Sequence, residues 1–358
     1  MASAAPMPGV RGEADEIGRW AAARLGVGVL AVQPVPAGIG RRHFYRLHFA
    51  AAPGSAIARV ATPEDPAGRP AGAAPEPPLE PVRALLERRG LPVPRRYASD
   101  DARGIELLED AGSETLSESI RSARPTDGEA LVERALDLVP RLQRVADDGS
   151  GVAAFQRRLD ASLFRYKAEL FAATSLPAAL GRPPTRAETD AVTEAFAFIA
   201  SVCAEAEPRF AHRDFQSQNL LLRRTPAGSM QLTMIDLQGA FLAPPEYDIV
   251  CLLRDSYLEL SWAFVQRQLE RIRPALPDPP GANEFALRFD LLTLTRKGKD
   301  HARFVAADAS GDARYRPYLG RTARMLREAA ARVRDVAPAL ARLAELLSGL
   351  PEESPCER

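Results

Sequence analysis

Residues 211–224 read AHRDFQSQNLLLRR, a stretch that joins a polar loop to an apolar, strand-like segment. The loop carries Asp214 and Asn219, and a second candidate strand, QLTMIDL (231–237), returns after the turn TPAGS to reach Asp236. A strand, a tight turn and a returning strand bring the two ends of a hairpin together. We therefore expect Asn219 and Asp236 to share one site, with Asp214 beside them.

The residue types in this hairpin indicate phosphoryl transfer. A carboxylate and an amide oxygen are hard ligands, suited to Mg²⁺ rather than to zinc. A further carboxylate, Asp214, has room to accept a proton from a hydroxyl nucleophile. The spacing H-x-D-x-x-x-x-N followed by a strand-terminal Asp is the catalytic signature of the protein-kinase-like fold. The sequence thus predicts transfer of the γ-phosphate of ATP, with Mg²⁺, to an alcohol.

Two neighbours of Asp214 are interpreted separately. His212 is predicted to be structural and to bond the loop backbone, because Asp214 already occupies the position of the base. For Arg213 two interpretations stay open, namely neutralising Asp214 or reaching the substrate.

The first third of the chain is mostly β-like. Residues 1–13 are predicted to be a frayed tail, and DEIGRWAAARLG (15–26) a helix closed by Gly26. Short branched or aromatic segments between 28 and 61, and GIELLED (104–110), are typical of strands. Between them lie a proline-rich loop at 62–78 and the helix LEPVRALLERRG (79–90). These features predict a β-rich, nucleotide-binding lobe over 14–112.

From 113 to 350 the apolar periodicity becomes helical, as in EALVERALDLVPRLQRVADD (129–148). The hairpin at 220–237 is the one β interruption predicted there. The predicted fold class is therefore α+β, with a small β-rich N-terminal lobe and a large, mostly helical C-terminal lobe that carries catalysis and the acceptor.

Three segments together resemble a known superfamily: HRDFQSQNLLL (212–222), MIDLQGAFLAPPEYDIVCLLRDSY (234–257) and GIELLEDAGSETLSE (104–118). They are similar to the aminoglycoside phosphotransferase superfamily. Within it they look like the amino-sugar kinases that phosphorylate the anomeric hydroxyl of N-acetylmuramate and N-acetylglucosamine. The match is tight over 205–258, looser over 37–120 and weak after 260.

The resemblance implies a role for each residue of the motif. It implies that Asp214 is the catalytic base and that Asn219 and Asp236 are Mg²⁺ ligands. It also implies that Asp248 is a buried residue at a helix start that stabilises the catalytic loop, in keeping with an acidic side chain in a first helical turn. The adenine of ATP would be held by the backbone of Leu108, Glu109 and Asp110.

The chain departs from the kinase pattern where a lysine is expected. Kinases pair the α- and β-phosphates with a lysine on the third strand, but the lysines of this chain are Lys167, Lys297 and Lys299. The equivalent text, AIARV, puts Arg59 in that place. Arg59 is either a phosphate clamp or a solvated strand-edge residue, and its carboxylate partner would be Glu80. Arginine and lysine are not geometrically interchangeable in such a site.

The segment AGIGRRHFYR (37–46) is a candidate for the loop that covers the phosphates. Gly38 and Gly40 lie between candidate strands, although a lone G-x-G is weak evidence. Arg41, Arg42 and Arg46 could supply positive charge there.

The acceptor side has mixed charge. TRKGKDHARF (295–304) is basic, through Arg296, Lys297, Lys299 and Arg303, and it is either an acceptor lining or a solvated helix face. A basic lining suits an anionic or neutral sugar better than a polycation. Candidate acceptor contacts are Arg254, Asp255 and Tyr257, which could equally pack their helix on the catalytic loop.

Composition limits the partners. Lysine plus arginine and aspartate plus glutamate both number 47, which argues against a nucleic-acid partner bound by bulk charge. The three cysteines are unclustered, which predicts neither a disulfide framework nor a metal site. The absence of a long apolar run favours a cytoplasmic protein without a membrane contact; a monomer is expected.

Two alternatives remain open. The acceptor could be an aminoglycoside, a choline-like alcohol or another sugar. The chain could also be a nucleotide-binding pseudokinase, which the missing N-terminal lysine favours and the intact Asp214, Asn219 and Asp236 oppose.

Overall fold

The computed structural model describes residues 8–35, 43–61, 77–224 and 230–350. Some predictions concern residues outside these ranges: those for Gly38, Gly40, Arg41 and Arg42, for the turn at 225–229 and for most of the 62–78 loop.

The chain divides into two compact units. The first consists of residues 1–76, 92–113 and 223–235, and the second of 77–91, 114–222 and 236–358. This division differs from the expected boundary at 112/113 in two segments. The helix at 82–88 belongs to the second unit, whereas the end of the first hairpin strand and the returning strand belong to the first.

The first unit contains a five-stranded sheet with the order β1-β2-β3-β5-β4, in which all neighbours pair antiparallel. Its elements are α1 Pro8–Leu25, β1 Val29–Val35, β2 His43–Phe49, β3 Ser55–Val60, β4 Arg96–Asp100 and β5 Ile105–Glu109. Ile17 and Ala21 of α1 join Tyr45, Leu47 and Leu107 of the strands in one buried cluster. The alternation of these strand residues places their apolar side chains on the face against α1.

The second unit is mostly helical. It contains α2 Val82–Arg88, α3 Leu116–Ser122, α4 Pro125–Leu136, α5 Val139–Gln143, α6 Ala161–Leu180, α7 Arg186–Ala204, α8 Tyr247–Leu253, α9 Trp262–Ile272, α10 Ala282–Ala309, α11 Leu319–Val333 and α12 Pro338–Leu347. Two of these helices start at a capping box, formed by Thr115 with Glu118 and by Thr185 with Glu188. The left-handed Gly181 (φ 65°) ends α6.

Helix α10 is the central element of this unit, because it packs against α6, α8 and α11. Residues 288–302 of α10 are buried, about four helical turns, although they include charged side chains such as Arg296, Lys297 and Asp300. The short strands are β6 Arg209–Ala211, β7 Leu220–Arg224, β8 Met230–Met234 and β9 Phe241–Ala243. Strands β6 and β9 pair with each other, as do β7 and β8.

The α+β class and the hairpin are confirmed, and three details differ from expectation. Helix α1 begins at Pro8, so residues 8–13 are helical rather than a frayed tail. Strand β4 was not predicted, and neither was the pair β6 and β9, so the hairpin is not the one β interruption of the helical part. These strands are three to five residues long, too short for a clear two-residue alternation.

Lys167 on α6 is a buried cation that stability measurements can test. Its side-chain nitrogen has no hydrogen-bond partner in the described part of the chain, and it lies 5.4 Å from the ring centre of Phe164 and 5.2 Å from that of Tyr247. Burial, together with the nearby charge of Arg296, lowers the pKa of Lys167 to about 7.

We expect Lys167→Met to raise the free energy of unfolding at pH 7 by about 1–3 kcal/mol. Between pH 7 and about pH 10 the unfolded lysine holds a proton that the folded one has lost, so the wild type should gain stability as the pH rises. The variant should lack that gain. Urea titrations at pH 7, 8 and 9 measure it. Lys297→Met is the control, since Lys297 is equally buried but pairs with Asp300; equal pH slopes in wild type and Lys167→Met would contradict the expectation.

Candidate functional site

The polar loop lies between β6 and β7, and apolar residues anchor it at both ends. Phe210, Phe215 and Leu220 are almost fully buried. The loop finishes in a 3-10 turn, Ser217–Asn219, directly before β7. Buried and half-buried positions are interspersed between 210 and 220. The buried side chains fix the loop on the core, and Asp214 and Asn219 stay partly accessible.

Two buried carboxylates from the end regions of α8 hold the loop backbone. Asp248 accepts the backbone N–H of His212 at 2.7 Å and that of Arg213 at 3.0 Å. Asp255 accepts the N–H of Ser217 at 2.6 Å. Burial raises the pKa of Asp248 to about 6, while the two backbone donors favour its ionised form. Asp248 is thus placed at the start of α8, against the loop, as the sequence predicted.

Arg213 adopts a left-handed backbone conformation, with φ of 79°. A non-glycine residue in this region is uncommon and strained, so its surroundings must hold it. Asp248 binds its N–H, and the Cys251 thiol donates to its carbonyl at 3.3 Å. Its guanidinium lies over the Phe241 ring at 5.8 Å, and its charge helps to lower the pKa of Asp214.

The two carboxylate oxygens of Asp214 face different elements. Oδ1 lies 3.1 Å from Nη2 of Arg296 and 3.6 Å from Nζ of Lys299, both on α10. Oδ2 faces the turn after β8, since a Cβ added to Gly239 would lie 3.9 Å from it. Asp214 therefore lies between a cationic helix and the turn that begins at Asp236.

Asp214 is held as an anion. Its side chain is 27% exposed. Burial alone would raise its pKa, but the charges of Lys299, Arg296, Arg213 and Arg303 hold the pKa well below its usual range. The carboxylate is therefore ionised at neutral pH, and it can accept a hydrogen bond from a hydroxyl without first losing a proton.

The two proposed metal ligands, Asn219 and Asp236, both belong to the second unit. Asn219 donates its side-chain N–H to the Asp214 carbonyl at 2.9 Å, which leaves its amide oxygen without a hydrogen-bond donor among the described residues. Asp236 is left-handed (φ 64°) and exposed, and it accepts from the Gln238 amide at 2.5 Å. One carboxylate and one amide oxygen fit a hard cation that takes its other ligands from phosphates and water. Among the described residues no group of three His, Cys, Asp or Glu side chains is suited to a metal.

For the charged cluster on α10 the sequence left two interpretations open, an acceptor lining and a solvated helix face. Asp300 accepts from Arg296 at 2.8 Å and from Lys297 at 2.7 Å, and Arg296 also donates to the Gln216 amide oxygen at 3.1 Å. Arg296 and Lys297 have side chains only 2% exposed. The expectation of a solvated helix face is wrong for these residues. The signal that could have revealed this is Asp300 itself, three and four residues from two cations.

Of the three predicted acceptor contacts, two are occupied by protein partners. Arg254 is buried, pairs with Glu328 of α11 at 2.7 Å and lies over the Trp262 ring of α9. Asp255 is buried and binds the N–H groups of Ser217 and Tyr257. Asp255 therefore ties the end of its helix to the loop, the second of the two predicted interpretations, whereas Arg254 contacts α11 and α9. Tyr257 is half-buried and stays a candidate.

The predicted nucleotide contacts that the structure describes lie in the first unit and already have partners there. Arg59 on β3 pairs with Glu106, which is opposite it on β5. The partner suggested by the sequence, Glu80, instead accepts from Arg83 and from the backbone N–H of Ala84. The side chain of Arg59 is 11% exposed and β3 is an inner strand of the sheet, so the interpretation of Arg59 as a solvated strand-edge residue is wrong.

The segment proposed to hold adenine is also engaged. The N–H of Glu109 donates to the Arg95 carbonyl at 2.7 Å, and the Asp110 carbonyl accepts from Arg223 at 2.7 Å. Leu108 lies within β5, in register with Ile57 and Arg96. Arg46, considered for the phosphates, forms a two-point pair with Asp110 at 2.8 and 3.1 Å. A carbonyl keeps a second lone pair, so the Asp110 oxygen can still accept from a base.

Solved structures show the fold class. The choline kinase LicA from Streptococcus pneumoniae superposes with a TM-score of 0.59 at 16% identity, over 88% of this chain and 98% of that one. The GDP complex of an aminoglycoside 2'-phosphotransferase-IIIa mutant gives 0.56 at 11% identity, over 90% and 99%. The fold is protein-kinase-like, of the kind these small-molecule kinases have.

Sequence comparison is more specific. Residues 31–285 match the model of the phosphotransferase enzyme family named APH. The N-acetylmuramate/N-acetylglucosamine kinase of Pseudomonas aeruginosa is 31% identical over 282 residues, which are 77% of this chain and 78% of that protein. Its Neisseria meningitidis counterpart is 28% identical over 264 residues, 71% and 75% of the two chains. The chain belongs to the phosphotransferase enzyme family.

Among the described residues no helix is long and apolar enough to cross a bilayer.

Proposed function

We propose that this chain transfers the γ-phosphoryl group of ATP to the anomeric hydroxyl of an amino sugar, with N-acetylmuramate and N-acetylglucosamine as acceptors. The observation that carries the proposal is the Asp214 carboxylate, held ionised between α10 and the turn after β8. The names of the Pseudomonas and Neisseria relatives support the choice of acceptors. A cytoplasmic, monomeric enzyme belongs to the same proposal.

Asp214 orients the acceptor hydroxyl and takes its proton. Its low pKa makes it a weak base, which suits this reaction because phosphoryl transfer passes through a loose transition state. The hydroxyl needs to lose its proton only late, once the bond to phosphorus is forming. Positioning of the hydroxyl is then the larger part of what Asp214 contributes.

Asn219 and Asp236 would hold Mg²⁺ through the amide oxygen and the carboxylate. When bound, the ion neutralises charge on the β- and γ-phosphates of ATP. Asp248 and Asp255 take no part in the reaction itself; they fix the loop that presents Asp214 and Asn219. His212 remains structural in this proposal, because its side chain is buried and packs edge-on against Phe215.

On the nucleotide side, the backbone of Leu108, Glu109 and Asp110 is proposed to contact adenine. Arg59, Arg41 and Arg42 are the proposed phosphate contacts, with Gly38 and Gly40 in the covering loop. Arg59 would have to share its guanidinium between Glu106 and a phosphate. Its five donors in a planar fork make such sharing possible, where a lysine would offer a single point charge.

A panel of acceptors tests the function. With ATP and Mg²⁺, we expect ADP release with N-acetylmuramate and N-acetylglucosamine, and at least tenfold lower kcat/KM with kanamycin, choline and glucose. Removal of divalent ions with EDTA should abolish release, and added Mg²⁺ should restore it. If only another acceptor were turned over, that acceptor would replace the amino sugars in the proposed function. Absence of any turnover, with ATP still raising the Tm, would favour a pseudokinase.

A further inference from the structure

Helix α10 continues beyond Arg296 with two cations on the side of Asp214. Lys299 approaches Asp214 Oδ1 at 3.6 Å, and its side chain is 9% exposed. Arg303 is one helical turn further on and exposed. The charge of Arg303 helps to lower the pKa of both Asp214 and Lys299, so it lies on the same face. Positions four residues apart are neighbours along one helix face.

The donors of these two cations are largely unused within the described part of the chain. Lys299 has carboxylate oxygens at 3.6 and 3.9 Å, from Asp214 and Asp300, and makes no hydrogen bond there. Arg303 makes neither an ion pair nor a hydrogen bond with any described residue. Arg296 and Lys297, by contrast, have their charge matched by Asp300. Positive charge is thus in excess at the outer end of this face.

The orientation of Asp214 separates this face from the metal side. Its Oδ2 faces the turn that begins at Asp236, whereas its Oδ1 faces Lys299. Phosphates that share a cation with Asp236 approach from the first side. A hydroxyl acceptor bound to Asp214 can then extend along α10 on the second side, toward Arg303, over about one helical turn, ~5 Å.

Aromatic side chains stand beside this end of α10. Tyr257 packs edge-on against Tyr318 with ring centres 4.7 Å apart, and Phe304, the neighbour of Arg303, stacks on Tyr315 at 5.3 Å. Tyr257, Tyr315 and Tyr318 are each half-buried. Apolar rings with a few convergent polar groups are typical of small-molecule sites, and the apolar face of a sugar ring fits such a wall.

On the basis of the proposed function, we propose that Arg303, with Lys299 beside it, forms a subsite for a carboxylate on the acceptor. N-acetylmuramate carries a lactyl carboxylate on an ether oxygen of the third ring carbon, two ring carbons from the anomeric carbon, and N-acetylglucosamine lacks it. With the anomeric hydroxyl at Asp214, the carboxylate falls at the outer, unpaired cation. Arg303 is then the residue that makes the enzyme favour the acidic sugar over the neutral one.

The test is the ratio of kcat/KM for N-acetylmuramate to that for N-acetylglucosamine, measured as ADP release at saturating ATP. Loss of a charge-assisted hydrogen bond to the carboxylate should lower this ratio about tenfold or more in Arg303→Ala. The fall should appear in the KM for N-acetylmuramate rather than in kcat. Arg303→Lys should keep part of the preference, and Arg303→Glu should lower the ratio further.

Arg342→Ala is the matched control, because Arg342 is an exposed arginine on α12 and the ratio should not change. An unchanged ratio in Arg303→Ala overturns the subsite. So does a raised KM for ATP with both sugars affected equally, which would assign Arg303 to the nucleotide. A wild type that turns over neither sugar overturns the proposed function itself, a result distinct from an active enzyme with an unchanged ratio.

Discussion

Asp214→Asn is expected to lower kcat by about 100- to 10,000-fold with both amino sugars, the range usual for a general base. Asparagine keeps the size of the side chain but cannot accept the hydroxyl proton as a carboxylate does. It also removes the anion that Arg296 and Lys299 approach on α10. The KM for ATP should stay within about threefold. Steady-state ADP release at several concentrations of each substrate measures both effects.

The matched control is Asp190→Asn, because Asp190 is an exposed aspartate on α7 whose ion pair with Arg186 is long, at 3.7 Å. It should be as active as the wild type. If Asp214→Asn keeps more than a tenth of the wild-type kcat while folded, the assignment of Asp214 as the base is wrong. Circular dichroism and the Tm establish that the variant is folded.

The largest expected effect on stability is that of Asp300→Ala. Asp300 is the shared acceptor for Arg296 and Lys297, two cations whose side chains are only 2% exposed. The charges of Arg296, Lys297 and Lys299 hold the pKa of Asp300 well below its usual range, although burial opposes this. Removing one partner of a buried pair leaves an uncompensated charge and costs about 3–5 kcal/mol. Urea unfolding at pH 7 should show a loss of this size.

A surface pair gives the comparison for Asp300. Asp190→Ala removes an exposed partner of Arg186 and should cost less than about 1 kcal/mol. The double variant Lys297→Met/Asp300→Leu replaces one cation and the anion by apolar side chains, so it should be more stable than Asp300→Ala alone. A loss below 1 kcal/mol in Asp300→Ala would mean that water compensates the cluster and that it is not sealed in the core.

The sequence predicted the parts of this molecule that repeat a pattern. Long amphipathic helices and the hairpin around 220–237 were found because their apolar periodicity extends over many residues. Asp214 and Asn219 were chosen as site candidates because their spacing is specific, and their roles stay predictions. The loop support from Asp248 was also expected, from its position at a helix start and from the resemblance.

What the sequence did not predict depends on tertiary contacts. The text TRKGKD was interpreted as a possible solvated face because charged residues are seldom fully buried. Their burial depends on Asp300 within the helix and on Asp214, which is more than eighty positions away in the chain. In the same way, the carboxylate partner of Arg59 is set by the register of β3 against β5, where Glu106 lies opposite. Register and long-range pairing are not visible in a local pattern.

The hydrogen bonds from residues 212, 213 and 217 to Asp248 and Asp255 have a consequence for how this motif can be used. The loop with the recognisable letters does not encode its own shape. Its conformation also depends on Asp248 and Asp255, which lie some forty positions downstream. If the loop were transplanted into another protein without residues 248–255, it would have the sequence motif of a phosphotransferase but not the geometry of its site. During synthesis, the loop would likewise leave the ribosome without its final conformation. It would adopt that conformation only after α8 had been synthesised and had packed against it.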